Sequence, residues 1–168
     1  MINKTLYSSV KDDWETPDWL FSQLDAYYHF DIDLAANEVN YKVIPWVSAF
    51  FDNDEAVKNR IWSTGWLNPP YGRGMRDWMH RCNDLVAGTD RIILVLAPAR
   101  TDTIWFHEEC ARHSIRFLKG RLVFKGAIMS APFPSCLIEF KSENYGRSIG
   151  REVSLSTIPL KAPNGKVM

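Results

Sequence analysis

The segment Arg91-Ile92-Ile93-Leu94-Val95-Leu96-Ala97 is the clearest indication of the fold class, because its apolar residues run together instead of alternating with polar ones. Such a run is typical of a strand that is covered on both faces in a parallel sheet. Before it, apolar residues recur at helical spacing from Met75 to Val86 and stop at Gly88, which predicts an amphipathic helix. Residues 101–114, after it, are predicted to be helical as well. A buried strand between two helices predicts an α/β domain.

Further strands are predicted on both sides of this unit. Gly65-Trp66-Leu67-Asn68 is a strand that Pro69-Pro70 stops abruptly. Phe30-Asp31-Ile32-Asp33-Leu34 alternates apolar and acidic residues, which predicts a strand with both carboxylates on the face opposite the core. The order of elements predicts a doubly wound α/β domain with an antiparallel edge. The later strands, which resemble a meander more than crossovers, are Ile115–Leu118, Arg121–Lys125 and Cys136–Phe140.

The two ends of the chain and the region before residue 60 are patterned less evenly. Thr16 and Pro17 are predicted to open a helix, with Thr16 as the N-cap and Pro17 at the first helical position. Ala49-Phe50-Phe51 is a candidate short strand, and Asp52-Asn53-Asp54 is a predicted turn. Residues 1–13 are expected to be a loosely ordered lead-in, and residues 142–168 a loosely held polar tail.

The composition indicates a single domain, residues 1–168, since 46% hydrophobic residues can bury one ordinary core. The net charge is zero, so a nucleic-acid site would have to be a local basic patch. Three cysteines without disulfide-like spacing, and a start without a signal-like apolar stretch, predict the cytoplasm. The longest apolar run, Ile92–Ala97, is too short for a bilayer, so no membrane contact is expected.

The motif that carries chemistry is Asn68-Pro69-Pro70-Tyr71. It follows a predicted strand, at the edge where open α/β sheets place their ligands. The two prolines lock their φ angles near about −65° and push Asn68 into an extended conformation, so the loop is rigid. A plain tight turn is the alternative for a four-residue match, because all of these residue types are common in turns.

This loop suits an exocyclic amine such as N6 of adenine, whose lone pair is delocalised into the ring. If Asn68 Oδ1 and the Pro69 carbonyl each accept one N–H, they hold that lone pair toward an incoming methyl group. A sulfonium donor already has a good leaving group, so alignment supplies most of the catalysis. The Tyr71 ring can stack on the adenine, which must leave the duplex stack to enter such a pocket.

The chain resembles the phage-type, Dam-like DNA N6-adenine methyltransferases, within the wider amino-methyltransferases marked by Asp/Asn/Ser-Pro-Pro-Tyr. The resemblance implies a Rossmann-like, doubly wound, mostly parallel sheet with an antiparallel edge. It also implies S-adenosylmethionine as cofactor and double-stranded DNA as substrate. The matching segments are Trp14–Pro17, Phe30–Ala36, Trp66–Gly72, Ala97–Thr103, Phe117–Phe124 and Ala131–Ser135.

The cofactor site that the resemblance implies begins with Thr16 and Pro17, which would lie along the methionine end of S-adenosylmethionine. Asp33 resembles the acidic residue at the end of the first strand. Ala35 follows it in a loop that lacks the glycine-rich turn of the wider superfamily. Asp33 and Asn68 are expected to face one crevice, because their strands are neighbours in such a sheet.

Asp52 and Asp54 lie where related enzymes place a group near the adenine of the cofactor, and the local pattern does not choose between them. Each implied residue also has a structural alternative. These alternatives are a turn for Asp52 and Asp54, a solvated strand-end acid for Asp33, and a capped helix for Thr16-Pro17.

Basic residues near the matching segments could form a phosphate-binding rim despite the zero net charge. Each of them alone is also explained as a solvated surface charge. The segment from Gly120 to Ser135 is a further candidate for contact with a DNA groove. A short or relaxed sequence preference is expected, because no segment is long enough to be a recognition domain. The predicted DNA-binding residues are Arg73, Arg76, Arg100, Lys119 and Arg121.

Other interpretations remain open from the sequence. A similar loop would serve cytosine N4 or an RNA base, and a silent nucleic-acid-binding module could keep the fold without turnover. His107, Cys110 and His113 share a helical face, but their apolar neighbours indicate a core helix, and no metal is predicted. The sequence leaves open the target site, the oligomeric state, and whether a phage enzyme of this kind protects DNA from restriction or regulates it.

Overall fold

Five strands form one mixed sheet in the computed structural model, which describes residues 14–48, 57–143, 145 and 155–165. The strands are β1 (Ile32–Asp33), β2 (Thr64–Leu67), β3 (Ile92–Pro98), β4 (Ser114–Phe117) and β5 (Ser135–Lys141). They lie in the order β1-β2-β3-β5-β4. The β1–β2 and β2–β3 ladders are parallel, whereas β5 runs antiparallel to both β3 and β4.

The α/β class and the antiparallel edge are therefore confirmed. The antiparallel share is larger than predicted, because two of the four ladders among the described residues are antiparallel. All seven residues of β3 are buried, as its apolar run predicts. That run indicates cover on both faces, but it carries no information about the direction of the neighbouring strands.

Among the helices of the described residues, two long α-helices pack on the sheet, α1 (Asp18–Tyr28) and α2 (Met75–Val86). The helix predicted over residues 75–86 is thus confirmed, and Gly88 after it has a φ of +66°, which favours glycine. The residues that α2 buries are Met75, Met79, Cys82, Asn83, Leu85 and Val86.

The helix predicted over residues 101–114 is shorter than expected. Its regular part is a π-helical turn, Phe106–Cys110, and strand β4 already begins at Ser114. Asn83 of α2 donates to both the main-chain carbonyl and the carboxylate of Glu109, at 3.1 and 3.0 Å. This contact with a distant helix is invisible to periodicity, and π-helical turns occur mostly as single turns of this kind.

The start of α1 corrects the predicted cap. Pro17, with φ −61° and ψ 133°, is the N-cap, and no side chain caps the helix. Its carbonyl accepts the amides of Leu20 and Phe21, both at 3.1 Å. Thr16 therefore lies one residue before the cap, where it is 2% exposed.

Strand β1 is also shorter than predicted, and Asp33 is not on a solvent face. Its side chain is 2% exposed, because the following loop folds back and forms a parallel bridge from Asp33 to Trp46. Asp31 instead accepts the amides of Ser63 and Thr64. The alternating pattern located the strand but did not reveal the loop that covers it.

The predicted strand over residues 121–125 is absent, since these residues pair with no strand in the described part of the chain. Leu122 and Phe124 are buried, which explains the apolar pattern. The main-chain amide of Lys125 donates to the carbonyl of Glu15 at 2.9 Å, so this segment is tied to the start of α1 instead of to the sheet.

The predicted loose tail is wrong for residues 155–161. Leu155, Ile158 and Leu160 are buried. Gln23 of α1 donates to the carbonyl of Lys161 at 2.9 Å and accepts its amide at 2.8 Å. Three apolar residues dispersed in a polar, turn-rich segment were too few to predict this docking.

Some predictions fall outside the described residues, namely the lead-in 1–13, the short strand 49–51 and the turn 52–54. Within the described ranges, none of the helices has the length and apolar character needed to cross a bilayer.

Candidate active site

A pocket of about 270 Å³ lies at the carboxyl edge of the parallel strands. Asp33, which ends β1, pairs with Trp66 of β2, and Asn68 follows β2 directly. Because β1 and β2 are parallel neighbours, Asp33 and Asn68 reach one pocket, as strand order predicted. The residues named from the sequence that line it are Thr16, Asp33, Ala35, Asn68, Pro69 and Pro70.

The Asn68 amide is held at both ends. Its Nδ2 donates to the main-chain carbonyl of Trp14, and its Oδ1 accepts the Tyr71 hydroxyl at 2.8 Å. The Trp14 contact fixes which end of the amide is nitrogen, because a carbonyl oxygen can only accept a hydrogen bond. Since an amide oxygen has two lone pairs, Oδ1 keeps one acceptor position beside the Tyr71 contact.

Tyr71 is 5% exposed, and its hydroxyl also lies 3.2 Å from the carbonyl of Leu96. Burial, together with the nearby Cys136, raises the pKa of Tyr71, so the hydroxyl remains a donor at neutral pH. Its ring meets Phe124 and Phe133 at steep angles, with centroids 6.1 and 5.6 Å apart. Most of the ring is thus covered by protein, and stacking on a base would require part of this packing to open.

The Asp33 carboxylate organises the loop that walls the pocket. Its Oδ1 accepts the amide of Ala35 at 3.2 Å, and its Oδ2 accepts the amide of Lys42 at 2.9 Å. Burial raises the pKa of Asp33, and these backbone hydrogen bonds oppose the rise. The alternative of a solvated strand-end acid is therefore wrong.

The remaining predicted cofactor residues are placed differently. Pro17 caps α1 and does not line the pocket. Asp52 and Asp54 lie outside the described residues.

Several polar residues that were not predicted from the sequence also line the pocket, above all Lys42. Its side chain is 8% exposed and contacts Asp18 at 2.5 Å and Glu15 at 3.5 Å. Asn37 and Asn40 also line the pocket, and the Asn37 side chain accepts the amides of residues 39 and 40 in an Asx turn. Two turn-forming asparagines three positions apart were a usable signal, whereas nothing near Lys42 marked it.

Most of the predicted DNA-binding residues are exposed near the same edge of the sheet. Arg73 follows the loop Asn68–Tyr71, Arg100 follows β3, and Lys119 follows β4. Arg121 is exposed and lies 3.4 Å from the carbonyl of Ala131. Arg76 differs from the others because it is paired with Glu108 at 2.7 Å.

His107, Cys110 and His113, which share a predicted helical face, do not converge on one point. His107 contacts the Thr101 carbonyl, His113 contacts Asn83, and Cys110 is buried. In the part of the chain that the structure describes, His, Cys, Asp and Glu side chains form no group of three that could hold a metal ion.

Comparisons with known proteins agree with this geometry. The sequence model of a family described as DNA N-6-adenine-methyltransferase (Dam) matches residues 3–141. A protein of Haemophilus phage HP1 (strain HP1c1), named DNA N-6-adenine-methyltransferase, is 27% identical over 118 residues. That match covers 68% of this chain and 65% of the phage protein, so the chain spans just under two thirds of its relative. The family match includes the loop Asn68–Tyr71 and every strand of the sheet, and the chain belongs to the DNA N-6-adenine-methyltransferase (Dam) family.

Proposed function

We propose that this protein transfers a methyl group from S-adenosylmethionine to the exocyclic N6 of adenine in double-stranded DNA. The observation that carries the proposal is the fixed Asn68 amide, which lines one pocket with Pro69 and the buried Asp33. The family and the name of the phage relative support the same reaction.

Asn68 and Pro69 would activate the amine without a strong base. Asn68 Oδ1 accepts one N–H of the amine with the lone pair that Tyr71 leaves unused, and the Pro69 carbonyl accepts the other. Both hydrogen bonds favour a tetrahedral nitrogen whose lone pair faces the methyl donor. The chemistry that S-adenosylmethionine supplies when bound is a methyl group on a positively charged sulfur.

The pocket suits the charged end of that cofactor. Asp33 would offer its carboxylate to an ammonium group, and Lys42 would offer its ammonium to a carboxylate once it leaves Asp18 and Glu15. Trp14 also lines the pocket, and its buried Nε1 has no hydrogen-bond partner among the described residues. The volume of about 270 Å³ is just below the range of roughly 300–1,000 Å³ that small-molecule sites span. It therefore fits the methionine part of the cofactor better than the whole molecule.

The DNA partner would approach the carboxyl edge of the sheet. Arg73, Arg100, Lys119 and Arg121 are exposed there and would contact phosphates, which position a duplex without reading its sequence. Arg76 would first have to leave Glu108. The target adenine would flip out of the stack, and Tyr71 would stack on it once its own packing opens.

We assign the wider arrangement to a Rossmann-like doubly wound domain, supported by the parallel strands β1, β2 and β3. A short or relaxed sequence preference fits the small number of exposed basic side chains. The phage relative supports a phage or prophage origin, and hence action in the cytoplasm of a bacterial host.

The test is transfer of a labelled methyl group from S-adenosylmethionine to unmethylated duplex DNA by the wild type, Asn68→Ala and Asn59→Ala. Asn59 is exposed and outside the pocket, so it is a matched control. Removing one hydrogen-bonding group that acts in the transition state costs about 100-fold or more. We expect Asn68→Ala to lose this much methyl transfer and Asn59→Ala to keep the wild-type rate. DNA that stays unlabelled after incubation with the wild type would contradict the proposal.

A further inference from the structure

The two hydrogen bonds that hold the Asn68 amide differ in which orientations of the amide they allow. We infer that the main-chain carbonyl of Trp14 selects the orientation of Asn68, so that position 68 of this protein requires an amide and does not accept a carboxylate. Trp14 is then a positioning residue that acts through its backbone. The inference rests on the proposed function, in which Asn68 contacts the target amine.

The Trp14 contact accepts only one orientation of the amide. A carbonyl oxygen can only accept hydrogen bonds, and here it accepts from Asn68 Nδ2. If the amide were flipped, Oδ1 would face this carbonyl, and two acceptors would be opposed with no donor between them. The flip would also remove the oxygen from the position where it meets Tyr71.

The Tyr71 contact accepts either orientation. Its hydroxyl donates to Asn68 Oδ1 at 2.8 Å, but the carbonyl of Leu96 is a second acceptor at 3.2 Å. A hydroxyl has one hydrogen and two lone pairs, so it could donate to Leu96 and accept from an amide nitrogen instead. The choice of orientation therefore falls to Trp14.

One aromatic cluster, defined as Trp14, Tyr71, Phe124 and Phe133, keeps both contacts in place. The Trp14 ring lies 5.1 Å from Phe124 and 5.4 Å from Phe133. Tyr71 meets the same two rings. The residue after Trp14 is also held, because the carbonyl of Glu15 accepts the amide of Lys125 at 2.9 Å. The Trp14 carbonyl cannot easily turn away to suit a different side chain.

An aspartate at position 68 would have the right shape but the wrong hydrogen-bonding pattern. Ionised, it offers Trp14 no donor; protonated, it can donate an O–H and still accept from Tyr71. The opposed carbonyl, half burial and the nearby Asp33 and Glu15 favour the protonated form, whereas Lys42 and the Tyr71 hydroxyl favour the ionised form. Lys42 is already paired with acidic side chains, so we expect the pKa of the introduced carboxyl to be raised.

The experiment compares Asn68→Asp, Asn68→Ala and Tyr71→Phe with the wild type, and uses exposed Asn59→Asp as the matched control. Methyl transfer to duplex DNA is measured from about pH 5.5 to about pH 8.5, a range in which a raised carboxyl pKa would be visible. Thermal unfolding checks that each variant is folded. Carbon-13 NMR of labelled aspartate follows the titration of the introduced carboxyl without any need for activity.

We expect Asn68→Asp to lose about 100-fold in kcat/KM at the alkaline end, as Asn68→Ala does. Its activity relative to the wild type should rise by about tenfold or more toward the acidic end, where that of Asn68→Ala stays constant. Tyr71→Phe should lose only about tenfold, because Trp14 still orients the amide.

Two results would overturn the inference. The first can be obtained even if the protein transfers no methyl group, and the second requires an active protein. One is an introduced carboxyl that titrates at or below the ordinary aspartate pKa of about 3.9. The other, in an active protein, is an Asn68→Asp variant whose activity relative to the wild type is independent of pH. An inactive wild type with a raised carboxyl pKa would instead refute the proposed function and leave the orienting role of Trp14 supported.

Discussion

Asp33→Asn is the perturbation that tests the buried carboxylate at the end of β1. The two oxygens of Asp33 accept different backbone amides, from Ala35 at 3.2 Å and from Lys42 at 2.9 Å. An asparagine has only one acceptor oxygen, so its NH₂ group would oppose one of these donors. An unsatisfied buried donor costs about 1–3 kcal/mol. For a chain of this size, roughly 2 kcal/mol lowers the unfolding temperature by about 4–8 °C.

The same change removes the charge that the proposed site offers to the ammonium of S-adenosylmethionine. A hydrogen bond to a charged group is worth about 1.5–3 kcal/mol, which corresponds to roughly 10–100-fold in affinity. Burial raises the pKa of Asp33, and the cofactor prefers its ionised form. The affinity of the wild type for S-adenosylmethionine should therefore be highest above this raised pKa, and it should fall as the pH falls through it. Asp33→Asn should lack this dependence.

The assay is calorimetric titration with S-adenosylmethionine from about pH 5 to about pH 8, together with thermal unfolding. Asp31→Asn is the matched control, because one oxygen of Asp31 accepts both backbone amides, at 2.8 and 2.9 Å, and an asparagine can keep both. Asp31 is also outside the pocket. We expect the control to cost less than about 1 kcal/mol and to bind the cofactor normally. Cofactor binding by Asp33→Asn at wild-type affinity would show that the Asp33 carboxylate does not hold the cofactor.

Two further predictions concern the docked residues 155–161 and the predicted phosphate-binding rim. Leu160 is 0% exposed, so Leu160→Ala should lower the free energy of unfolding in urea by about 2–5 kcal/mol. Val39→Ala, at a residue that is 90% exposed, should change it by less than about 0.5 kcal/mol, and equal effects would contradict the docked tail. Lys119→Ala and Arg121→Ala should each weaken DNA binding and reduce its salt slope by about one. An unchanged slope would remove that residue from the rim.

The central part of the fold could be predicted because its residues encode burial directly. The run Ile92–Pro98 is buried on both faces, and the spacing from Met75 to Val86 places one face of α2 in the core. The position of β5 between β3 and β4 could not be predicted, because an apolar strand looks the same whichever strand it pairs with.

The errors share a physical cause, which is contact with residues far along the chain. The 121–125 segment has the apolar pattern of a strand, but its main chain bonds to Glu15. The residues 155–161 look polar and loose, but Gln23 and the core hold them. Local patterns report which residues are apolar, and they do not report which distant backbone groups will satisfy their hydrogen bonds.

The candidate site was found where its chemistry is local and missed where it is not. Asn68-Pro69-Pro70-Tyr71 is contiguous, so its side-chain and backbone acceptors can be inferred from four residues. The carbonyl of Trp14 meets Asn68 from 54 positions away, and a main-chain group carries no sequence signal. Lys42 was missed for a similar reason, because its partners Glu15 and Asp18 belong to a different element.

The identity of the methylated nucleoside tests most directly whether this protein methylates adenine in DNA. Duplex DNA that has been incubated with the protein and labelled S-adenosylmethionine is digested to nucleosides and resolved by mass spectrometry, with RNA treated in parallel. We expect label in N6-methyl-2′-deoxyadenosine, and about 100-fold less of it when Asn68→Ala replaces the wild type. Label in N4-methylcytosine or in RNA alone, or cofactor binding without any transfer, would contradict this expectation.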